Sequence, residues 1–406
     1  MKRNKAYKIR IYPNQIQTKQ INQTIGGCRF VFNQMLAERC EVYEALKDDK
    51  EALNAYQYKT EKELKAEFRF LAEASSRALQ QSRLNLETAY RNFFANRSRF
   101  PKFKSKKKNT ESYREPQVND CLEVKNGKIK LLKLGWVKLS YLPKDFTGQI
   151  KSVTVSRTKT NEYYVSILTE QELVLKERVE NRIIGLDLGL TDFCITSKGE
   201  FFQPIQETLK RLEKKVKFWQ KKLSRQIRES VRREKTRRKL NKVYERMKRL
   251  QTHFRWHLAN KLSRENQAIS LESLTVGNMK KNRKLSHSIH LASWREFLLK
   301  LKQKAVECGT KLHFAEKYYA SSKTCYNCKE KKTTLSLTER TFECESCGYE
   351  AQRDLNAALN LRSLIENSSE YGENRHREIV RPMKWKFDFK GSFVEVLTKE
   401  NVHIWA

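Results

Sequence analysis

Acidic residues are scarce in this chain. Asp and Glu total 47 of 406 residues against 84 Lys and Arg, so the formal charge is 84 − 47 = +37. So large a surplus repels itself in a compact state unless a polyanion neutralises it. Nucleic acid is the commonest such partner. No stretch approaches the roughly 18 consecutive apolar residues that a membrane span needs. The start, Met1-Lys2-Arg3-Asn4-Lys5, runs into alternating residues and not into an apolar signal core. A soluble intracellular protein is expected, with no membrane partner. Cysteines are few and odd in number, nine in all, with Cys28, Cys40, Cys121, Cys194 and Cys308 scattered. That argues against a disulfide framework. No internal repeat is evident. What is present, 38% apolar and 10% aromatic residues, supports buried cores and excludes a wholly disordered basic chain. The length suits about two or three domains.

Tyr7, Ile9 and Ile11 alternate with Lys8 and Arg10, which predicts a strand. Pro13-Asn14 opens a helix to about Lys47, with Gly26-Gly27 as its expected weak point. Residues 51–95 lack Gly and Pro and read as further helices. Next, Phe93, Phe94, Phe100 and Phe103 interleave with Arg91, Arg97, Arg99, Lys102, Lys104, Lys106, Lys107 and Lys108, and Pro101 makes the segment a loop. A solvated charge run is the plain explanation. With +37 overall, a phosphate-gripping loop whose rings stack on bases is the better one. Residues 121–170 predict strands, with Asn126-Gly127 as a hairpin turn. They could rejoin the first strand as a small barrel, leaving 14–118 as a helical insertion.

A second domain opens near Arg182 with Ile183-Ile184-Gly185-Leu186-Asp187, an apolar strand ending in an acid, and a second strand follows through Phe193, Cys194 and Ile195. Leu209, Leu212, Val216, Trp219 and Leu223, then Leu240, Val243, Met247 and Leu250, predict an αα-hairpin with its turn within Arg232–Lys239. Residues 209–250 hold 19 Lys or Arg against 4 Glu, so this face is expected to touch nucleic acid. Ala268–Leu271 is another short strand, ending before Glu272. Beyond about Ser368 the periodicity lapses, which predicts a mobile tail over 368–406.

Two constellations carry chemistry. Cys325-x2-Cys328 and Cys344-x2-Cys347 are separated by fifteen residues. Four thiolates so spaced fill the tetrahedron of a structural zinc and leave no place for water. Such an ion would tie down a segment too small to bury its own core. An iron–sulfur centre suits other spacings better. The acids Asp187, Glu272 and Asp354 follow a strand–acid–turn–strand, a later strand–acid and a helix acid. Each alone would be a cap or a surface carboxylate. Their order is the RNase H-like layout, in which three carboxylates meet at one sheet edge. Three ionised carboxylates repel one another; a pair of Mg²⁺ ions would relieve this and support phosphodiester hydrolysis.

The strings Gly185-Leu186-Asp187-Leu188-Gly189-Leu190, Glu272-Ser273-Leu274, Ser321-Ser322-Lys323-Thr324-Cys325, Cys344-x2-Cys347-Gly348 and Arg353-Asp354-x-Asn356-Ala357-Ala358-x-Asn360 resemble the TnpB (OrfB) family of insertion-sequence proteins. So do Lys5-Ala6-Tyr7 to Tyr12-Pro13, Phe100-Pro101-Lys102-Phe103, Ser112-Tyr113-Arg114 and Lys133-Leu134-Gly135-Trp136-Val137. The resemblance runs to about residue 375. It implies an α+β multidomain protein: a wedge-type β-barrel over 1–13 and 119–180, with a helical recognition insertion over 14–118. It further implies an RNase H-like (RuvC) α/β nuclease domain over 181–320 and 349–367, including a basic hairpin over 205–262. A zinc-ribbon insertion would occupy 321–348. The family is related to type V CRISPR effectors, and the resemblance implies a guide RNA from the element's end and double-stranded target DNA beside a short flanking motif. It makes Asp187, Glu272 and Asp354 the Mg²⁺-binding catalytic acids, and Cys325, Cys328, Cys344 and Cys347 the Zn²⁺ ligands. Gln352 stands where many members carry an acid. Tyr56, Ser76, Arg77 and Gln80 are the candidates for reading the flanking motif, because Gln can address adenine edges. Two other functions share parts of this pattern: a transposase that joins strands, and a non-catalytic zinc-containing RNA-binding regulator.

Overall fold

The structure is a computed structural model. It describes residues 2–106, 111–175, 179, 182–204, 206–279, 281–282, 285–336, 339–366, 383–387 and 393–396, the last two segments and Val276 by backbone alone. The chain forms two compact units, Met1–Leu173 and Val174–Ala406.

In the first unit, β1 (Lys2–Tyr12) leads into α1 (Gln15–Leu46), α2 (Lys50–Ala55), α3 (Glu61–Glu67), a 3-10 turn (Arg69–Glu73) and α4 (Ser76–Phe94). The strands β2 (Glu111–Pro116), β3 (Glu123–Lys125), β4 (Lys128–Leu131), β5 (Gly135–Leu139), β6 (Gln149–Arg157) and β7 (Tyr163–Glu172) follow. The period-two expectation for β1 holds: Tyr7, Ile9 and Ile11 are buried. β1 rejoins the later strands, pairing antiparallel with β7 from Lys2↔Glu172 to Ile11↔Tyr163 and with β5 at Ile11↔Leu139. Asn126 and Gly127 both take positive φ between β3 and β4, as a two-residue hairpin requires.

Three expectations are corrected here. The seven strands run in the order β2-β6-β7-β1-β5-β4-β3 and do not close into a barrel, because β2 and β3 each pair on one side only. The helical insertion also ends sooner than residue 118. Ser112-Tyr113-Arg114 belongs to edge strand β2, whose Tyr113 is buried against the helices. Gly26-Gly27 is no weak point either, since α1 runs through it, started by a reciprocal Asn14–Gln17 capping box. Gly27 is where α1 is crossed closely: a Cβ there would lie 3.2 Å from Ala74 Cβ and 3.3 Å from Leu71 Cδ2.

The second unit holds β8 (Ile183–Asp187), β9 (Cys194–Thr196), β10 (Glu200–Gln203), α5 (Gln206–Ser224), α6 (Val231–Glu265) and β11 (Ala268–Leu271). Then come α7 (Val276–Met279), α8 (Ser286–Ala292), α9 (Trp294–Cys308), β12 (Lys311–Phe314), β13 (Thr341–Glu343), β14 (Glu350–Gln352) and α10 (Arg353–Glu366). Two last strands, β15 (Met383–Phe387) and β16 (Phe393–Val396), complete the order β12-β11-β8-β9-β10-β15-β16. β12, β11 and β8 are mutually parallel, while β9 is antiparallel to β8 and β10. Phe254, Trp294, Phe297 and Leu301 from α6 and α9 pack with Ile184, Leu186, Ile269 and Leu271 of the sheet.

The hairpin turn lies at 225–230, ahead of the expected 232–239. Ser230 caps α6 through Arg233 N–H, and buried Thr236 and Leu240 keep 232–239 helical. Of the expected tail, β15 and β16 extend the sheet, β15 parallel to β10. The alternation of Lys384, Trp385, Lys386 and Phe387 is the period-two signal for that strand. The rest of the tail lies outside the described residues. No helix among the described residues is long and apolar enough to cross a membrane.

Candidate active site and metal centre

The four cysteines converge. Their sulfurs lie within 4.8 Å of one another, with Cys325–Cys347 at 3.7 Å and Cys328–Cys344 at 3.6 Å. Sulfurs about 2.3 Å from a tetrahedral zinc stand about 3.8 Å apart, so the donor set and its spacing fit that ion. Each pair sits on a matched turn: Lys329 N–H reaches Cys325 C=O and Gly348 N–H reaches Cys344 C=O. Lys329 (φ 66°) and Gly348 (φ 67°) take the same left-handed position after each second cysteine. The short ribbon β13–β14 carries the second turn, and buried Phe342 is its small core.

The string Asn356-Ala357-Ala358-x-Asn360 explains how this knuckle is held. Asn356 and Asn360 are fully buried. Asn356 accepts from Tyr326 N–H (3.0 Å) and donates to Thr324 C=O (2.8 Å). Asn360 donates to Ser321 C=O (3.0 Å) and Thr324 C=O (2.6 Å). Two amides one helical turn apart on α10 thus bind the loop entering the first cysteine pair.

The acids sit where strands and helix meet. β8 and β11 pair in parallel with Leu186 opposite Leu271, so Asp187 and Glu272 follow at neighbouring strand ends. α10 lies directly over β8, because Gly185 has no side chain: a Cβ there would meet Ala358 C=O at 1.9 Å and Arg362 N at 2.5 Å. Asp354 stands one turn ahead of Ala358 on the same helix face. Crowding by protein, then the charges of Glu272 and Asp354, drive the Asp187 carboxyl well above the usual carboxylate range. Burial raises Glu272 as well, and the hydroxyl of Ser321, which donates to its Oε1, opposes that.

Asp354 is already engaged. It accepts from Arg353 Nε at 3.1 Å and Gln352 Nε2 at 3.3 Å, and Arg340 lies 3.8 Å away. Among the described residues only the cysteines gather their ligand atoms within 4.8 Å; the three carboxylates interact at longer range. Gln352 has a physical role, since its Oε1 also accepts from Leu355 N–H (2.6 Å) at the start of α10. An acid there could accept the same bond but would repel Asp354, whereas the amide donates to it. The roles of Ser321, Gln352, Asn356 and Asn360 were not drawn from the sequence. Only the repeated Asn at a spacing of four hinted at one.

The remaining candidates scatter over the first unit. Ser76 and Gln80 are exposed one turn apart on α4. Tyr56 is half-exposed at the end of α2, donating to Glu38. Arg77 turns inward to Cys121 Sγ (2.6 Å) and Val118 C=O (3.2 Å). Lys102 and Lys106 are exposed. Lys104 is half-buried over the Phe32 ring at 3.7 Å, its backbone clasped by Asn33, and burial lowers its pKa. Lys107 and Lys108 lie outside the described residues.

Three family models match: "Helix-turn-helix domain" over 1–48, "Probable transposase" over 166–283 and "Cas12f1-like, TNB domain" over 294–361. In this chain the first of these regions is strand β1 and the single helix α1. A protein of Streptomyces pristinaespiralis named "Putative RNA-guided DNA endonuclease" is 32% identical over 387 residues, 94% of this chain and 92% of that one. Another from Escherichia coli strain K12, "Putative RNA-guided DNA endonuclease InsQ", is 30% identical, covering 89% and 92%. The chain shares its mixed α/β fold with the Cas12f1 of a Cas12f1–sgRNA–target DNA complex solved by cryo-EM (TM-score 0.54, 14% identity, 89% and 99% coverage). Full-length identity to these relatives, together with the cysteine knuckle and its asparagine clasp, places the chain in the TnpB (OrfB) family of insertion-sequence-encoded proteins.

Proposed function

We propose that the chain is an RNA-guided DNA endonuclease encoded by a transposable element. The observation that carries this reading is that Asp187 and Glu272 follow neighbouring parallel strand ends while Asp354 opens the helix packed on Gly185, in a +37 chain whose relatives bear that name. The strand order of the second unit, with three antiparallel strands beside two parallel ones and α10 across β8, supports an RNase H-like (RuvC) nuclease domain. The first unit then serves as the wedge and recognition part, with an open sheet in place of a barrel.

Asp187, Glu272 and Asp354 would hold magnesium. Two such ions supply an activated water and stabilise the leaving oxygen of a phosphodiester. Half-buried and mutually repelling, the acids are poised to gain from a cation. Ser321 orients Glu272, and because Asn360 grips the Ser321 carbonyl, the knuckle and the acid share one support. Gln352 and Arg353 orient Asp354. Sequence reading passes to base pairing with the guide, and the protein itself reads only the flanking motif. On α4 the candidates are exposed Gln80 and exposed Ser76, whose hydroxyl accepts from Lys65 Nζ at 2.9 Å.

The test is purified protein with its co-purifying RNA, magnesium and a supercoiled target plasmid. Linear product without strand joining is expected. Asp187→Ala should lower the cleavage rate by at least about 10³-fold while RNA affinity is kept. Joined strands would favour a transposase, and cleavage unaffected by Asp187→Ala would refute the site.

A further inference from the structure

The tip of the α5–α6 hairpin holds a cavity of about 430 Å³, within the range of small-ligand sites, lined by Phe218, Lys221, Lys222, Arg225, Gln226 and Arg232. Four of the six are cations and none is an acid. Among the described residues none of the four has a carboxylate partner. The nearby acid Glu234 is taken by Arg237 and Arg238, and Glu229 is exposed. Phe218 is 59% exposed, in edge contact with Trp219 at 4.9 Å. Gln226 Oε1 is buried and accepts no hydrogen bond. An orphaned buried acceptor is costly, so the place favours a ligand with an N–H or O–H donor. The wall is fixed: the Arg233 guanidinium donates to the carbonyls of Leu223 and Gln226.

We propose that this cavity receives one unpaired nucleotide of a bound polynucleotide. Its base lies against Phe218, its phosphate among Lys221, Lys222, Arg225 and Arg232, and a base or sugar donor reaches Gln226 Oε1. A duplex backbone needs only a row of cations; an aromatic wall and an orphan acceptor suit a base out of its stack. The inference rests on the nucleic-acid-binding part of the reading above and not on the cleavage chemistry.

The test measures binding of the full-length protein, at one fixed salt concentration, to single-stranded RNA, single-stranded DNA and a fully paired duplex of one sequence. Phe218→Ala should weaken at least one single-stranded ligand about tenfold and change the duplex by less than about twofold. Phe218→Leu, which keeps apolar bulk without a ring, should do the same and guards against a folding defect. With Gln226→Leu, a loss on RNA alone identifies the ribose hydroxyl as donor, and a loss on both identifies the base. Equal losses on duplex and single strands, or none, would overturn the pocket. If the wild-type protein bound no nucleic acid, the functional reading would fall too; if it bound and Phe218→Ala bound equally well, only the pocket would.

Discussion

Single atoms decide two glycines. At Gly185 a methyl group would overlap the backbone of α10, which cannot yield without moving Asp354 away from Asp187. Gly185→Ala should therefore cost at least about 3 kcal/mol, read as a fall in melting temperature, and should lower cleavage further than stability alone explains. At Gly26, in mid-helix, an added methyl would meet nothing within 4 Å, so Gly26→Ala should stabilise by about 0.5–1 kcal/mol. Glu115 shows the cost of an isolated charge. It is fully buried and neither carboxylate oxygen has a well-formed hydrogen bond. Burial pushes its pKa to about 7, with Ser75, Leu132 N–H and Arg77 offsetting only part. A carboxyl raised on folding contributes stability at low pH that is lost as pH climbs from its unfolded value, about 4.5, through about 7. Glu115→Gln should remove that loss, gaining up to about 3 kcal/mol at pH 8 and little at pH 4.5 in denaturant titrations.

At the scale of elements, the knuckle and α10 stabilise each other. The ribbon β13–β14 is too short for a core of its own beyond Phe342, so the four sulfurs and the Asn356 and Asn360 amides carry its order. One zinc per chain is expected by metal analysis. Strong chelation or Cys325→Ser should release it, raise amide exchange across 321–348 and, through Ser321, disturb Glu272. Asp187→Ala should leave the zinc content unchanged. The hairpin shows a different balance. Leu212, Val216, Leu240 and Met247 form its narrow seam, and outside it Lys and Arg dominate, 19 against 4 Glu over residues 209–250.

For the whole molecule, the surplus of 37 positive charges sets how binding responds to salt. Affinity for RNA should fall at least about 10³-fold between 50 and 200 mM salt, as counterion release requires; a flat response would contradict an electrostatic footprint.

Period-two alternation was enough to locate β1, the Asn126-Gly127 pair its hairpin, the two Cys-x2-Cys spacings the four clustered cysteines, and apolar spacings of three and four the α5–α6 pair, because each is a local constraint written in nearby residues. The order of the three acids suggested a shared site, yet sequence separations of tens of residues carry no distance. Parallel pairing of β8 with β11 sets Asp187 and Glu272 at neighbouring strand ends, and the missing methyl of Gly185 lets α10, which carries Asp354, lie close to β8. Closure of the first sheet was equally a matter of partners: period-two residues announce a strand but not how many neighbours it finds, and β2 and β3 found one each. The clasp of Asn356 and Asn360, the inward turn of Arg77 and the hold of Gln352 on Asp354 all depend on which polar group lies within about 3 Å after folding. Composition cannot encode that proximity; only packing creates it.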